Sequence, residues 1–281
     1  MILQALKEFY DRKAADPESG IAPPGFEWKE IPFVIVLNED GVPIAISDTT
    51  EVVGKKKRAK KFLVPQSVKR SVGIAANFLW DNPEYALGVV LKGNAERVSR
   101  MHQTFQERIQ AIGPSPDLGI CALRKFMKGD YLSILEMQFP GDWAKLCESG
   151  AYVTFQLAGC EGLIAESAPV RDHVETALIG DGSETGLCLV SGDVDVIERL
   201  HPSIKGVWGA QSSGANIVSF NRGAFLSHGK EQGANAPVGK VAVFAYTTAL
   251  NHLLGKDSHQ RVQVGDASTV FWSDRETTME E

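Results

Sequence analysis

The chain has no stretch of 18 or more apolar residues, so no segment is long enough to cross a bilayer as a helix. Its N-terminus, MILQALKEFYDRK, scatters charges through the region where a secretory signal needs an uninterrupted apolar run, so no signal peptide is expected. Cysteine is sparse: Cys121, Cys147, Cys160 and Cys188 stand far apart and form no C-x-x-C pair. Those features describe a reduced, cytoplasmic protein whose thiols fill core space. No two of His102, His173, His201, His228, His252 and His259 have H-x-x-x-H spacing, so no local metal site is expected.

The motifs of catalysis and cofactor binding are also missing. Each Gly-Lys pair, at 54–55, 229–230, 239–240 and 255–256, lacks both the earlier glycine and the following hydroxyl residue of a phosphate loop. Gly180, Gly182 and Gly186 are spaced one residue too wide for the dinucleotide fingerprint. A serine nucleophile elbow starting at Gly209 would need serine where Gln211 stands. Asp193 and Asp195 form a carboxylate pair, but no neighbour in sequence would shift their pKa values, and they read as solvent-facing residues beside a strand. The expectation is a protein that is not an enzyme and carries no cofactor.

What is present is ordinary globular material, 281 residues with 43% hydrophobic and 23% charged. The formal net charge is −6, so a nucleic-acid contact would have to be a local patch. Apolar spacing predicts an amphipathic helix over 2–13 and another over 93–112, with Val98, Met101, Phe105 and Ile109 on one face. Shorter helices are expected at Leu118–Met127, Asp142–Glu148 and Val170–Ile179, and a largely buried one at Pro237–Leu254. Strands are expected at 31–47, as a hairpin turning at Glu39-Asp40-Gly41, and at 86–91, 152–158 and 186–192. Further strands are expected on either side of Gln211–Gly214 and in a hairpin over 261–272. Helices and strands mix without a steady βαβ rhythm. That predicts an α+β fold, an irregular mixed domain with antiparallel hairpins and flanking helices, over 1–272 as one region or two subdomains. Residues 273–281 read as an acidic linker.

Two segments carry a positive signal. The first, GKKKRAKKFLVPQSVKR (54–70), contains Lys55, Lys56, Lys57, Arg58, Lys60, Lys61, Lys69 and Arg70, and no acidic residue occurs from Gly54 to Trp80. Read as a basic loop over Gly54–Lys61, it would contact phosphates, since each cation beside a phosphate releases condensed counterions. A solvated charge run is the alternative. The second, GAQSSGANIVSFN (209–221), gathers Gln211, Ser212, Ser213, Asn216, Ser219 and Asn221 around Gly209 and Gly214. Amide and hydroxyl side chains on a glycine-hinged backbone suit base edges, while a polar turn bonding its own backbone is the alternative. The loop GKEQGANAPVGK (229–240) is similar and adds Lys230. By residue type Trp80, Trp208 and Phe220 belong in the core rather than on a stacking surface.

Three blocks then carry a family likeness: KKKRAKKFLVPQSVKRSVGIAANFLWDNPEYALG (55–88), HPSIKGVWGAQSSGANIVSFN (201–221) and SHGKEQGANAPVGKVAVFAYTTALNHLL (227–254). They closely resemble the large subunit of the type I-C CRISPR Cascade complex, and the likeness covers essentially the whole chain. The resemblance implies a subunit without nuclease activity that binds double-stranded target DNA, inspects a protospacer-adjacent motif and helps start strand separation. Guide RNA reads the remaining sequence by pairing. It also implies sibling backbone subunits, a helicase–nuclease recruited after target binding, and a helical C-terminal region beyond this sequence. Gln211 is then the candidate wedge, as the longest side chain in its loop. The rival expectation is an assembly scaffold that binds siblings and the 5′ handle of the guide RNA.

Overall fold

A computed structural model describes residues 2–54, 56–70, 73–179, 185–275 and 277. From the N-terminus the elements are α1 (Ile2–Ala14), β1 (Phe26–Glu30), β2 (Phe33–Leu37), β3 (Pro43–Asp48), β4 (Thr50–Val53), β5 (Lys56–Ala59), β6 (Lys61–Pro65) and β7 (Trp80–Asp81). Next come α2 (Pro83–Ala86), α3 (Ala95–Gln110), α4 (Leu118–Phe126), α5 (Tyr131–Gln138), α6 (Pro140–Ser149), β8 (Val153–Leu157) and α7 (Ala168–Ile179). The chain finishes with β9 (Thr185–Leu187), β10 (Val194–Val196), α8 (Lys240–Leu253), β11 (Arg261–Val264) and β12 (Ala267–Val270). The fold is α+β. It divides into a central unit, Phe26–Glu175, and a terminal unit joining Met1–Gly25 to Thr176–Glu281. No helix of the described residues is long and apolar enough to cross a membrane.

In the central unit a four-stranded sheet has the order β3-β2-β8-β7, with β2 and β8 parallel and the other pairs antiparallel. The β2 sequence FVIVL is apolar throughout because it lies inside the sheet, and Phe33, Val34, Ile35 and Leu37 are buried. Helix α3 packs there through Val98, Met101, Phe105 and Ile109, all four buried, and Phe105 lies 6.3 Å from Phe155 of β8. Its start is fixed by Asn94, whose side chain accepts from the Arg97 N–H at 2.7 Å.

Beyond the sheet the strands turn a corner. Pro32, which has no N–H to give to a ladder, separates β1 from β2. Thr49 separates β3 from β4, and Lys60 separates β5 from β6. The three breaks are tied together: Ile31 N–H donates to Lys60 O at 3.1 Å, Lys60 N–H to Thr49 O at 3.2 Å and Thr49 N–H to Pro32 O at 2.8 Å. Two ladders leave this corner, β1–β6 and β4–β5, both antiparallel.

The terminal unit is built on α1 and α8. Leu6, Phe9 and Tyr10 are buried with Val243, Phe244, Tyr246 and Leu253, and the Tyr10 ring meets Phe244 edge-on at 5.5 Å. The β11–β12 hairpin and the β9–β10 ladder complete it.

Several local expectations change. Among the described residues of 54–61, Lys56–Ala59 and Lys61 lie in strands rather than in a loop. Gly54, at φ 66°, turns the chain so that 56–59 pair with 50–53. Residues 86–91 form no strand: Asn82 caps and Pro83 starts the short α2, and Gly88 at φ 71° ends that region. Only Gly186 and Leu187 of the 186–192 segment are strand, because the Cys188 carbonyl accepts the Gly192 N–H in a turn. The pieces flanking Gln211–Gly214 meet in a single bridge, Ile204 to Ala215. Helix α5 had no periodic signal, because its apolar residues surround the axis. Cys160 is exposed, unlike buried Cys188. Gly180 and Gly182 lie outside the described residues, as does most of the expected 273–281 linker.

Candidate nucleic-acid interface

The basic run lies on two ladders, and its register decides which cations are available. On β5 the side chains alternate. Lys57 stands opposite Val52, while Arg58 stands opposite Glu51. On β6 Lys61 stands opposite Glu30 of β1. The stretch free of acid in sequence is therefore interleaved with acid in space, and two cations face carboxylates across a strand. Lys57 and Lys60 are exposed and have no carboxylate at a facing register position. The Lys60 Nζ lies 5.2 Å from the centre of the Phe62 ring, which orients its stem and leaves the ammonium in water. Lys55 lies outside the described residues, and for Lys56 only the backbone position in β5 is described. Lys69 is exposed.

Arg70 holds the protein's own chain together. Its guanidinium pairs with Asp81, its Nε donates to Ala75 O at 2.6 Å, and its plane lies 4.2 Å from the centre of the Tyr85 ring. Asp81 is fully buried and also accepts from the N–H groups of Asn77 and Asn82, each at 2.8 Å. Burial pushes its carboxyl above the ordinary range, against the pull of Arg70 and of those two N–H groups. Nearby, the Trp80 indole N–H donates to Pro65 O at 2.8 Å and fixes the end of β6. Trp80 is a core residue, as its type predicts.

Beside the ladders lies an open cleft of about 420 Å³, lined by Lys57, Ala59, Thr50, Glu30, Asn82 and Tyr152 among others. Lys57, Ala59 and Thr50 share one face of the β4–β5 ladder, which explains their presence together. Lys29, which sequence reasoning passed over, sits 4.9 Å from the Trp80 ring and 4.8 Å from Tyr152. The cleft offers one cation, one carboxylate, an amide and an aromatic ring.

The second segment belongs to the terminal unit. Its base is the bridge in which Ile204 and Ala215 exchange N–H···O bonds of 2.8 Å, and the Gly214 N–H donates to Gln211 O at 2.8 Å to close the tip. The Lys205 Nζ donates across the loop to Ser213 O at 2.7 Å, while its own N–H donates to Asn251 Oδ1 at 2.7 Å. Gly214 must be glycine. Its φ is 104°, and a Cβ there would lie 2.7 Å from Ile204 O. Gln211, Ser212, Ser213 and Asn216 are exposed on this pinned backbone. Ser219 and Asn221 are exposed too. Lys230 is exposed in a turn whose N–H donates to Ser227 O at 2.9 Å. Asp195 is structural: its carboxylate accepts the Val241 N–H at 3.2 Å in the first turn of α8.

One signal was available and passed over. From Arg199 to Lys230 the sequence has no Asp or Glu, and it carries Arg199, Lys205, Arg222 and Lys230. Trp208, assigned to the core by type, is 62% exposed within that stretch, and Phe220 is half-buried.

No curated protein matches the chain. The model of the CRISPR-associated protein family Cas_Csd1 matches residues 6–281, and the chain therefore belongs to that family, the large subunits of type I-C Cascade.

Proposed function

We propose that this Cascade subunit binds double-stranded target DNA, reads a short protospacer-adjacent motif and starts strand separation, without catalysing a reaction itself. Lys57 and Lys60 hold phosphates, with Lys69 as a further contact, and guide RNA reads the remaining sequence by pairing. The Gln211–Asn216 loop contacts the motif, with Gln211 as the wedge at the adjacent base step. Sibling subunits carry the guide, and a helicase–nuclease arrives after binding, in the cytoplasm. The observation that carries this reading is the loop itself: exposed amide and hydroxyl side chains on a backbone fixed by the Ile204–Ala215 bridge and the Lys205 clamp. Opening a base step costs on the order of a few kcal/mol, and a fixed loop loses little entropy when it inserts.

The test uses the assembled complex with alanine at Gln211, Ser212, Ser213 and Asn216. Discrimination between good and bad motifs should fall more than nonspecific affinity does. An unchanged discrimination ratio would reduce the loop to a structural turn.

A scaffold role has one observation in its favour. Leu187 and Val194 are cross-strand partners on β9 and β10 and are 60% and 76% exposed, an apolar pair that suits a protein contact. Gel shifts with duplex and with guide RNA separate the two roles.

A further inference from the structure

Trp208 is a large apolar ring left in water on a backbone that is tied down on every side. The residue is 62% exposed, and its indole makes no hydrogen bond or ring contact among the described residues. Its backbone N–H donates to Ser268 Oγ of β12 at 2.9 Å. Gly206, two residues before it, has φ 76°, and a Cβ there would lie 2.9 Å from Leu254 O, so the chain is pressed against the end of α8. Lys205 adds its bonds to Asn251 and Ser213. After Trp208 the chain turns at Gly209, φ 71°, into the Gln211–Gly214 tip. The ring therefore stands at the foot of the polar loop, on a segment that cannot fold it away into a core.

We propose that Trp208 is a base-stacking platform: its indole face receives a nucleobase unstacked at the opened step next to the motif. The proposal rests on the DNA-inspecting reading of the neighbouring loop. Charge favours a nucleic acid as the occupant. The 199–230 stretch holds four Lys or Arg residues and no carboxylate, so an anionic backbone is attracted while the ring meets the base. Every base has a π-face, so stacking on tryptophan tolerates sequence and supports strand opening without reading identity. The polar tip and the ring then divide the labour, with contact to the motif edges by Gln211–Asn216 and retention of the displaced base by Trp208.

The experiment compares wild-type, Trp208→Ala and Trp208→Phe complexes on a motif-bearing duplex with 2-aminopurine at the third base beyond the motif on the displaced strand, clear of the ring, because stacking on the indole would itself quench the probe. Trp208→Ala should weaken binding about tenfold and lower the fluorescence that reports unstacking, while Trp208→Phe retains most of both. The ratio between good and bad motifs should hold, because the ring reads no base edge. The Lys57→Ala/Lys60→Ala complex serves as the second arm. If that variant binds weakly and Trp208→Ala binds and opens DNA as wild type does, the platform falls and the DNA reading stands. If the wild-type complex itself does not bind the duplex, both fall. If Trp208→Ala instead loses sibling subunits, measured by the mass of the purified complex, the ring is a protein contact and the proposal is overturned.

Discussion

Replacing Lys57 and Lys60 with alanine separates the cations with no carboxylate opposite them in the ladders from those that have one, although Asp48 lies near enough to Lys57 to feel its charge. Lys57 stands opposite Val52, and Lys60 occupies the corner between β5 and β6. Arg58 and Lys61 stand opposite Glu51 and Glu30. Each phosphate contact on duplex DNA contributes about 0.9 to the slope of log affinity against log salt, so losing two should flatten it by about 1.8. Over a fourfold rise in salt, from roughly 50 to 200 mM, the double variant should lose about twelvefold less affinity than wild type does. The Arg58→Ala/Lys61→Ala pair should change the slope by about half as much or less, because each removed cation already had a carboxylate as partial counterion. The assay is a titration of assembled complex with labelled duplex at four or five salt concentrations. Equal flattening by both pairs would refute the register argument, and no change in either would remove the ladders from the interface.

Other outcomes follow from the packing. Asp81→Ala leaves the Arg70 guanidinium without its carboxylate and two N–H groups without an acceptor, at a cost of about 3 kcal/mol in chemical denaturation. This is the low end for a buried pair, because the Arg70 side chain is 31% exposed and can reach water. Equal stability would mean that the Arg70–Asp81 pair does not organise the segment. Gly214→Ala should strain the loop by about 1–3 kcal/mol and speed hydrogen exchange at 211–215 while leaving α8 protected. Unchanged exchange there would contradict the close approach to Ile204. Burial holds His102 below its ordinary value of 6.5, with Nδ1 at 2.8 Å from Tyr85 O and Nε2 at 2.6 Å from the Tyr131 hydroxyl. Its folded pKa is below its unfolded one, so its contribution is complete above the unfolded value and is lost as pH falls toward the folded one. Denaturation midpoints should drop as the buffer is taken from pH about 7.5 to about 5.5, and His102→Gln should flatten part of that drop.

The sequence made the local, periodic features readable. Val98, Met101, Phe105 and Ile109 repeat at helical spacing, and all four are buried in α3. The β2–β3 hairpin announces itself by two apolar runs around a turn, and the β11–β12 hairpin by a turn at Gly265-Asp266 between strand-like residues. What could not be read was pairing between distant strands. Nothing in the run 55–61 says that Glu51 and Glu30 will stand opposite Arg58 and Lys61, because register is a tertiary fact. Lysine-rich strands also lack the β-branched pattern that would mark them, so a ladder looked like a loop. The loop at 209–221 was legible as polar and glycine-hinged, but its fixation was not, since it depends on Asn251 and Ser268, which lie 46 and 60 residues from their partners Lys205 and Trp208. Residue type misplaced Trp208 for a related reason: indoles are buried on average, and an average carries no information about a site that presents one.

The carboxylates opposite Arg58 and Lys61 have a kinetic meaning under the proposed role. A genome offers about 10⁶–10⁹ nonspecific sites to a scanning complex. A basic patch in which every cation stood bare would linger at each of them. Glu51 and Glu30 shorten those stops, so the time of the search is spent sampling rather than waiting, and the decision to stay passes to the loop that meets the bases.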